Sequence, residues 1–248
     1  MGKKNTLEIY WSVWCNPNAA SDRVLLDLEP KSLMYDIIKN KPKNTKVPNS
    51  NRLQPGNYQS CTALHEFTKN IFILKSPISA KVKVNENGEI LHDQETSQLF
   101  NERISSLENS FSVDFDMGII FFSKESVNIT ITNPYMHKTS FLNEGYIVSG
   151  KYDISKWFRP IPIIYQLWEG NSEIHIEKNS PLAYLSFETE KKIKFTQFLI
   201  TDKLINYAQS CMNHKVIMPF EPFLRLYQKF EQSGLSRMVI KEIENHII

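Results

Sequence analysis

The sequence predicts a mainly β domain, an antiparallel β-sandwich or barrel, inside a chain that is α+β overall. Between residues 71 and 200, short apolar or alternating runs follow one another and are joined by turn residues. No segment with helical spacing separates these runs, so the pattern favours antiparallel strands over βαβ units. Residues 201–248 instead carry apolar side chains at helical spacing, which predicts a C-terminal helical tail.

The composition is that of an ordinary folded protein with room for a sizeable core, since 41% of the 248 residues are hydrophobic and 23% are charged. The net charge of +2 is too small to predict a nucleic-acid-binding surface, so we expect no nucleic-acid partner. No run approaches the ~18 apolar residues of a membrane span. We therefore expect a cytoplasmic protein without a membrane span.

The cysteines and glycines exclude several kinds of site. Cys15, Cys61 and Cys211 lie far apart and form no CxxC pair, which indicates a reducing compartment and argues against a structural zinc site. The chain has 8 glycines and contains no P-loop, no G-x-G-x-x-G and no G-x-S-x-G motif. We therefore expect no cofactor. The sequence contains no complete catalytic motif, so it does not decide whether the chain is an enzyme.

The N-terminal arm and linker are assigned to residues 1–57. The run LEIYWSVW at residues 7–14 predicts a strand, and apolar spacing at residues 33–38 predicts a short amphipathic helix. Residues 31–52 are rich in lysine, proline and asparagine. This composition favours a solvated linker over an anion-binding patch.

The β domain is assigned to residues 58–200. It opens with two predicted helical turns at residues 62–70, and Asn87-Gly88 predicts the turn of a hairpin. The other predicted strands are IFILKS, SAKVKV, FSVDFDMGIIFFS, VNITITN, GYIVSG, IPIIYQLW, SEIHIE, LAYLSF and KIKFTQFLI.

Three amphipathic helices are expected in the tail. Thr201 or Asp202 can cap the first helix, the second begins near Pro222 and stops at Gly234, and Ser236 starts the third. Packing of their apolar sides on the β core is favoured, and a protein partner or self-association through these helices is the alternative. The apolar sides carry Leu204, Ile205, Ala208, Cys211 and Met212, then Phe220, Phe223, Leu224, Tyr227 and Phe230, then Val239, Ile240, Ile243 and Ile247.

The segment IHIEKNSPLAYLSF, residues 174–187, contains a possible metal motif. The spacing His175-x-Glu177 places both side chains on one face of a strand, as the triad of Fe(II) oxygenases requires. That triad also needs a second histidine from a later strand, and residues 182–200 contain none. The pattern therefore favours two adjacent strands joined by a polar turn, with an incomplete iron site as the alternative. The residues expected to pack inward are Ile174, Ile176, Leu182 and Tyr184.

Two further groups of residues could bind a cation or a ligand. Asp114 and Asp116 share one face of a strand, where paired carboxylates could hold a cation, although the wet face of a half-buried strand has the same pattern. Trp157, Phe158 and Arg159 stand just before a strand, where aromatic and guanidinium groups could stack on a ligand. Core or rim packing is the alternative reading of these three residues.

From about Tyr58 to Phe198, the order of short motifs resembles a family of β-rich proteins from tailed phages and bacteria that has no assigned activity. The motifs are Cys61 followed by ALHEF and NIFILKSP, then NITITNPYM, the step from Gly150 to Asp153, and IHIEKNSPLAYLSF. The last unit is similar to the strand-turn-strand segment of dUTPase-like β-clip proteins. This resemblance implies that Asp153, at the end of that step, is a candidate site residue.

The chain departs from both patterns. Thr62 stands where a proline is common in the family, and Asn179-Ser180 stands where glycine and a polar residue are usual. The Arg-Ser-Gly phosphate motif and the glycine-rich tail of dUTPase-like enzymes are absent. The resemblance therefore implies a topology of jelly-roll or β-clip type, and it does not imply a catalytic activity.

Three functions remain as expectations. The leading one is a phage-type accessory or virion-associated protein that acts by protein–protein binding. The second is a small-molecule or nucleotide-binding enzyme at the mouth of the β-barrel, with Asp153, Trp157 and Arg159 binding the ligand. The third is an Fe(II)-dependent oxygenase-like protein with an incomplete triad, in which His175 and Glu177 would bind the metal.

Overall fold

The computed structural model describes residues 5–14, 29–39, 61–85, 90–91, 100–107, 110–115 and 117–248. Strands dominate up to residue 197 and helices end the chain, as the sequence predicts. The strands are β1 (Thr6–Val13), β2 (Lys31–Ser32), β3 (Ile71–Lys75), β4 (Ala80–Val84), β5 (Ile90–Leu91), β6 (Phe100–Leu107), β7 (Ser110–Phe115), β8 (Ile119–Phe122), β9 (Asn128–Thr132), β10 (Gly145–Ile147), β11 (Gly150–Asp153), β12 (Ile163–Leu167), β13 (Glu173–Ile176), β14 (Pro181–Phe187) and β15 (Lys192–Gln197). The helices are α1 (Leu33–Lys39), α2 (Thr62–Thr68), α3 (Asp202–Ile217), α4 (Phe223–Gln232) and α5 (Leu235–Glu244), with a 3-10 helix at Ser140–Asn143.

The described strands form four sheets with the orders β15-β1-β8, β10-β12-β7-β6, β11-β9-β14-β3-β2 and β13-β4-β5. Closing a barrel requires the two edge strands of a sheet to pair with each other. Within the described residues each of these four sheets keeps two separate edges, so the barrel alternative of the prediction is wrong. The broader prediction of a mainly β chain with C-terminal helices is confirmed.

The N-terminal strand β1 lies in the middle of a sheet. It runs parallel to β15, with Thr6 opposite Lys192 and Trp11 opposite Gln197, and antiparallel to β8 on its other side. Both faces of β1 are buried over most of its length. This double burial explains why the run LEIYWSVW is apolar with only weak alternation.

The segment 174–187 forms two strands, as the sequence predicts, but they belong to different sheets. Strand β13 pairs with β4, and β14 pairs with β3 and β9. At the turn between them, Asn179 has a φ of 65°, a left-handed conformation that asparagine tolerates better than most residues. The four side chains that were expected to pack inward are buried, namely Ile174, Ile176, Leu182 and Tyr184.

Pairing of β4 with β5 confirms the two strands of the predicted hairpin, through Lys83 opposite Leu91 and Val84 opposite Ile90. The predicted turn at Asn87-Gly88 lies outside the described residues. So do Cys15 and residues 40–60, which include most of the predicted basic linker. Helices α1 and α2 lie where the apolar spacing predicts them.

All four sheets contribute to one hydrophobic core. A second cluster lies between the C-terminal helices and strands β1 and β8. The tail therefore packs on the β fold within the chain, which was the favoured alternative. Among the described helices, none is long and apolar enough to cross a membrane. The second cluster contains Tyr10, Ile120, Phe122, Trp157, Phe158, Phe198, Leu204, Ala208, Cys211, Leu226, Phe230, Val239 and Ile243.

The helix ends agree closely with the sequence signals. The hydroxyl oxygen of Thr201 accepts a hydrogen bond from the backbone N–H of Leu204 at 3.3 Å, so Thr201 is the N-cap of α3. Pro222 precedes the first residue of α4. Gly234 has a φ of 73° and precedes α5, which begins one residue before the expected Ser236.

Candidate functional site

A cavity of about 50 Å³ lies where strands β8 and β11 meet helix α4. Most of its wall comes from residues 154–162, the segment that connects β11 to β12 and that we call the cavity segment. Two of the three residues that the sequence singled out for ligand binding, Trp157 and Arg159, are part of this wall. The lining residues are Phe121, Tyr152, Ile154, Trp157, Arg159, Pro160, Ile161, Pro162 and Phe223.

The cavity segment is held against β8. The backbone N–H of Ile161 donates a hydrogen bond to the carbonyl oxygen of Ile119 at 2.8 Å, and Pro160 forms a β-bridge with Ile120. Pro160 and Pro162 fix their own φ angles and restrict the residues before them. The sequence RPIPI therefore gives this wall a defined backbone.

Two buried hydrogen-bond donors of the lining residues have no hydrogen-bond partner among the described residues. They are the indole Nε1–H of Trp157 and the hydroxyl of Tyr152. Trp157 is only 7% exposed. A buried donor without a partner costs about 1–3 kcal/mol, so such groups are uncommon in folded proteins. Both donor atoms are themselves buried, so they lie within the packed wall of the cavity and not on its open surface.

Arg159 places a positive charge beside the cavity. Its Nε donates a hydrogen bond to the carbonyl oxygen of Pro160 at 3.2 Å. Burial strongly raises the pKa of Tyr152, and the charge of Arg159 is the largest influence that opposes this rise. The hydroxyl of Tyr152 therefore stays protonated and remains a donor at physiological pH.

Cys211 of α3 lies near the same charge but is not an activated nucleophile. Burial raises the pKa of its thiol to about 11, against smaller opposing effects from the backbone of Phe158 and from Arg159. A thiol with such a pKa is almost entirely protonated at neutral pH, whereas thiolate is the nucleophilic form. Cys211 therefore acts here as a buried apolar residue of the second cluster.

Asp153 stands beside the cavity and holds the turn that begins the cavity segment. Its carboxylate accepts hydrogen bonds from the Ser126 hydroxyl at 2.6 Å, the Ser155 hydroxyl at 2.6 Å and the Ser155 backbone N–H at 2.9 Å. Lys156 Nζ lies 3.5 Å from the same carboxylate. Burial raises the pKa of Asp153, but the hydrogen bonds from Ser126 and Ser155 outweigh it and leave that pKa below its usual range.

Helix α4 contacts this region through Tyr227 and Phe223. The backbone N–H of Asp153 donates a hydrogen bond to the hydroxyl oxygen of Tyr227 at 3.0 Å. The ring of Phe223 stacks on that of Tyr227, with 5.8 Å between centroids. Phe223 is half-exposed and also lines the cavity, so it belongs to both the cavity wall and the outer surface.

The turn between α3 and α4 carries an exposed apolar surface, residues 216–224, which we call the α3–α4 surface. Its centre is Phe220, which is 96% exposed. The sequence predicted one apolar side with Phe220, Phe223, Leu224, Tyr227 and Phe230. The structure buries Phe230, together with Leu226, and leaves Phe220, Phe223 and Leu224 exposed. The exposed large side chains of this surface are Val216, Ile217, Met218, Phe220, Phe223 and Leu224.

The structure does not place His175 and Glu177 together on one strand face. Strand β13 ends at Ile176, so the exposed Glu177 lies in the following turn rather than on the strand face with His175. His175 instead contacts Glu144, through Nδ1 to the carboxylate and through its backbone N–H at 2.8 Å. Within the described residues, no three His, Cys, Asp or Glu side chains are grouped so that they could hold a metal ion.

The carboxylate pair of β7 is only partly described. Val113, Phe115 and Met117 are buried, which agrees with the face expected to point inward. Asp114 is half-buried and its charge acts on the hydroxyl of Tyr152, while Asp116 lies outside the described residues. The paired carboxylates therefore stay a prediction, because one of the two lies outside the described residues.

A buried polar cluster that the sequence did not indicate joins α1 to the sheet of β3 and β14. Asp36 lies 2.5 Å from Lys75 Nζ and 3.1 Å from His137 Nε2. His137 Nδ1 is 2.5 Å from the hydroxyl of Tyr184. Burial raises the pKa of Asp36, but Lys75 and then His137 reverse this effect and lower it. The four residues come from four separate chain segments, so no local motif could have revealed them.

Comparisons of this chain with protein-family models, with curated proteins and with solved structures find no match. The geometry of the cavity and of the α3–α4 surface is therefore the basis for any functional assignment.

Proposed function

We propose that this chain works by protein–protein binding and that the α3–α4 surface carries the binding. The role is that of a phage-type accessory or virion-associated protein, in the host cytoplasm or in the virion. A second copy of the chain is the proposed occupant of the surface. The observation that supports this proposal is the exposure of six large apolar side chains within nine consecutive residues.

The size of the α3–α4 surface supports an interface. At about 150–200 Å² for a fully exposed large side chain, the six residues present on the order of 600 Å². The largest apolar patch on a typical monomer covers about 300–600 Å² and is often functional. A standard interface buries about 800 Å² on each partner, which the α3–α4 surface reaches with a modest polar rim.

The charges around the α3–α4 surface favour a second copy as its occupant. Glu221, within the surface, is paired with His214 Nε2 and Lys229 Nζ, each at 2.7 Å. Because these opposite charges lie within one chain, two copies of the surface can approach without a large repulsion between like charges. Twofold symmetric dimers, in which the same patch meets itself, are also the commonest oligomers of soluble proteins.

We propose in addition that the β part is a sandwich of jelly-roll or β-clip type, which would serve as the platform for the helical tail. The contribution of all four sheets to one hydrophobic core supports this packing. In that arrangement the helices cover strands β1 and β8 on one side and present the α3–α4 turn on the other.

Native mass spectrometry and light scattering during size-exclusion chromatography test the proposal. We expect a dimer for the wild-type chain. Phe220→Ser should raise the dissociation constant at least ~30-fold, because the central aromatic residue of an interface typically contributes 2 kcal/mol or more. Val148→Ser is the matched control, since Val148 is an exposed apolar residue next to β10 and outside the α3–α4 surface.

The control should keep the wild-type subunit number, and both variants should keep the wild-type circular dichroism spectrum. A monomeric wild type would contradict the proposed occupant. A dimer that Phe220→Ser leaves intact would contradict the proposed surface.

A further inference from the structure

We infer that Glu221 is the positioning residue of the α3–α4 surface, because its carboxylate holds the turn that presents Phe220. This role rests on the proposed function, since it names the group that prepares the same surface for a second copy. Three features support it, namely the backbone of the turn, the contacts of the Glu221 carboxylate and the exposure of Phe220.

The turn between α3 and α4 has a restricted backbone, and its sequence, MPFEP, contains two prolines. The backbone N–H of Glu221 donates a hydrogen bond to the carbonyl oxygen of Met218 at 3.2 Å, which closes a β-turn around Pro219 and Phe220. A proline fixes its own φ angle and restricts the residue before it. With Pro219 and Pro222 in place, Phe220 is the one residue of MPFEP whose backbone no proline restricts.

The carboxylate of Glu221 connects this turn to both helices. Its Oε2 lies 2.7 Å from Nε2 of His214, in the last turn of α3, and its Oε1 lies 2.7 Å from Nζ of Lys229 in α4. We call these two contacts the Glu221 clamp. Lys229 and then His214 hold the pKa of Glu221 below its usual range, so the carboxylate is ionised at neutral pH. The Glu221 side chain is only 10% exposed, although the neighbouring Phe220 is almost fully exposed.

A fixed turn favours binding because association otherwise has to order the side chain and the loop that carries it, which weakens the complex. The prolines restrict the backbone of the turn, and the Glu221 clamp fixes the turn relative to α3 and α4. Surface ion pairs contribute little to global stability. The main effect of the clamp is therefore on the local order of the turn and, through it, on the binding of a second copy.

The charge of the Glu221 clamp gives it a salt dependence that apolar contacts lack. The Debye length falls from about 10 Å at ~0.1 M to about 3 Å at ~1 M ionic strength, so salt weakens ion pairs near the surface. Burial of apolar surface is not screened in this way. The advantage that Glu221 gives the wild type should therefore decrease as the salt concentration rises.

Analytical ultracentrifugation of the full chain at ~0.1 M and ~1 M sodium chloride tests this role. Glu221→Gln should raise the dimer dissociation constant about fivefold at the lower salt concentration, because binding must then order the turn, and should differ little from the wild type at the higher one. Glu231→Gln is the matched control, since Glu231 is an exposed glutamate of the same helix outside the α3–α4 surface. Equal dissociation constants for Glu221→Gln and the wild type at ~0.1 M would overturn the positioning role.

A double-mutant cycle with Lys229→Gln tests whether the effect passes through the contact to α4. Glu221→Gln and Lys229→Gln remove the same ion pair, so the double variant should bind no more weakly than Glu221→Gln alone. Fully additive losses would overturn the clamp as the cause of the effect.

Hydrogen exchange, measured by NMR at a concentration where the chain is monomeric, separates this role from the proposed dimer. The Glu221 amide, which donates to Met218, should exchange faster in Glu221→Gln than in the wild type, while the urea midpoints of the two proteins stay the same. A wild type that never dimerises but shows this difference would overturn the proposed dimer and support Glu221 as the residue that holds the turn. A dimeric wild type with equal exchange in both proteins would overturn the role of Glu221 and leave the dimer in place.

Discussion

At the scale of single residues, two buried tyrosine hydroxyls differ in their surroundings. The Tyr184 hydroxyl contacts His137 Nδ1 at 2.5 Å and accepts a hydrogen bond from the backbone N–H of Met136 at 3.2 Å. The Tyr152 hydroxyl is buried and has no hydrogen-bond partner among the described residues. Because the cost of burying a polar group depends on whether it is paired, the same substitution should have opposite consequences at these two positions.

We expect Tyr184→Phe to lower the free energy of unfolding by about 1–3 kcal/mol, because it leaves the Met136 N–H and His137 without their partner. Tyr152→Phe should be neutral or slightly stabilising, since it removes a buried hydroxyl that has no partner. Urea denaturation of both variants measures the difference. Equal destabilisation by the two variants would contradict the hydrogen-bond assignment at Tyr184.

The lowered pKa of Asp153 predicts how stability depends on pH. In the folded chain this pKa lies below that of an unfolded aspartate, about 3.9. The stabilisation by the ionised form is therefore complete above pH ~4 and is lost as the pH falls through the lower pKa of the folded state. We expect Asp153→Asn to cost about 2–3 kcal/mol at neutral pH and progressively less below pH ~4.

Thermal or urea unfolding of Asp153→Asn and wild type between neutral and acidic pH tests this expectation. Glu177→Gln is the matched control, because Glu177 is exposed and lies outside the hydrogen-bonded turn. A constant difference between Asp153→Asn and wild type over the whole pH range would argue that the carboxylate charge does not stabilise the turn.

Sequence analysis identified only the part of the candidate site whose residues lie close together in the sequence. Trp157 and Arg159 stand together in one short segment, so their chemistry was visible and the structure places both at the cavity. Tyr152 and Phe223 come from a strand and a distant helix, and no spacing connects them. A resemblance to another family made Asp153 a candidate site residue. Its carboxylate accepts hydrogen bonds from Ser126 and Ser155, so in the structure it holds the turn beside the cavity.

At the scale of secondary-structure elements, two strands that begin with glycine have very different amounts of space at that position. A Cβ on Gly145, the first residue of β10, would lie 2.2 Å from the carbonyl oxygen of Gln166 and 2.7 Å from the ring of Tyr165. For a Cβ on Gly150, the first residue of β11, the nearest atom would be a ring carbon of Tyr152 at 3.7 Å. Only the first of these positions requires the absence of a side chain.

We expect Gly145→Ala to destabilise the fold by about 2–4 kcal/mol, because β10 must move away from β12 and lose ladder hydrogen bonds. Gly150→Ala should stay within about 0.5 kcal/mol of the wild type. Chemical denaturation of both variants provides the comparison. A Gly145→Ala variant as stable as Gly150→Ala would contradict the close approach of β10 and β12.

The positions of the strands and their buried faces were easier to predict than the strands with which they pair. Alternation identifies which side of a strand is buried, and it did so for Ile174 and Ile176 in β13. It carries no information on which strand lies alongside, so the placement of β13 and β14 in different sheets had no sequence signal. The parallel pairing of β1 with β15 joins residues almost two hundred positions apart and was equally invisible.

Helix α4 shows a related difficulty. The spacing predicts one apolar side with Phe223, Tyr227 and Phe230, and Leu226 falls on the same side at a helical period. The core buries Leu226 and Phe230, whereas Phe223, the first residue of the helix, is exposed and forms part of the α3–α4 surface. Helical spacing shows which positions share a side, and it does not show how far along the helix the core extends.

At the scale of the whole molecule, strands β1 and β8 connect the β fold to the helical tail. Successive side chains of a strand point to opposite faces, and in β1 Ile9 and Trp11 belong to the large core while Tyr10 belongs to the second cluster. In β8, Phe121 and Phe122 are divided in the same way. The two hydrophobic clusters are therefore the two sides of one pair of strands.

This shared pair of strands predicts that the tail and the β fold unfold together. Phe230 of α4 is buried in the second cluster, with its ring centroid 6.3 Å from that of Phe122 and 6.4 Å from that of Trp157. We expect Phe230→Ala to lower the free energy of unfolding by about 3–5 kcal/mol. We also expect one cooperative transition, because loss of the helices uncovers the apolar side of β1 and β8.

Circular dichroism and tryptophan fluorescence, recorded on the same urea titration, measure this prediction. The two signals should give coincident transitions in the wild type, and both midpoints should fall together in Phe230→Ala. Gln228→Ala is the matched control on the same helix, and because Gln228 is exposed and lies outside the α3–α4 surface it should change the midpoint little. If helical signal were lost at lower urea than the fluorescence change, the tail would be an independently unfolding unit, and strands β1 and β8 would retain their structure without it.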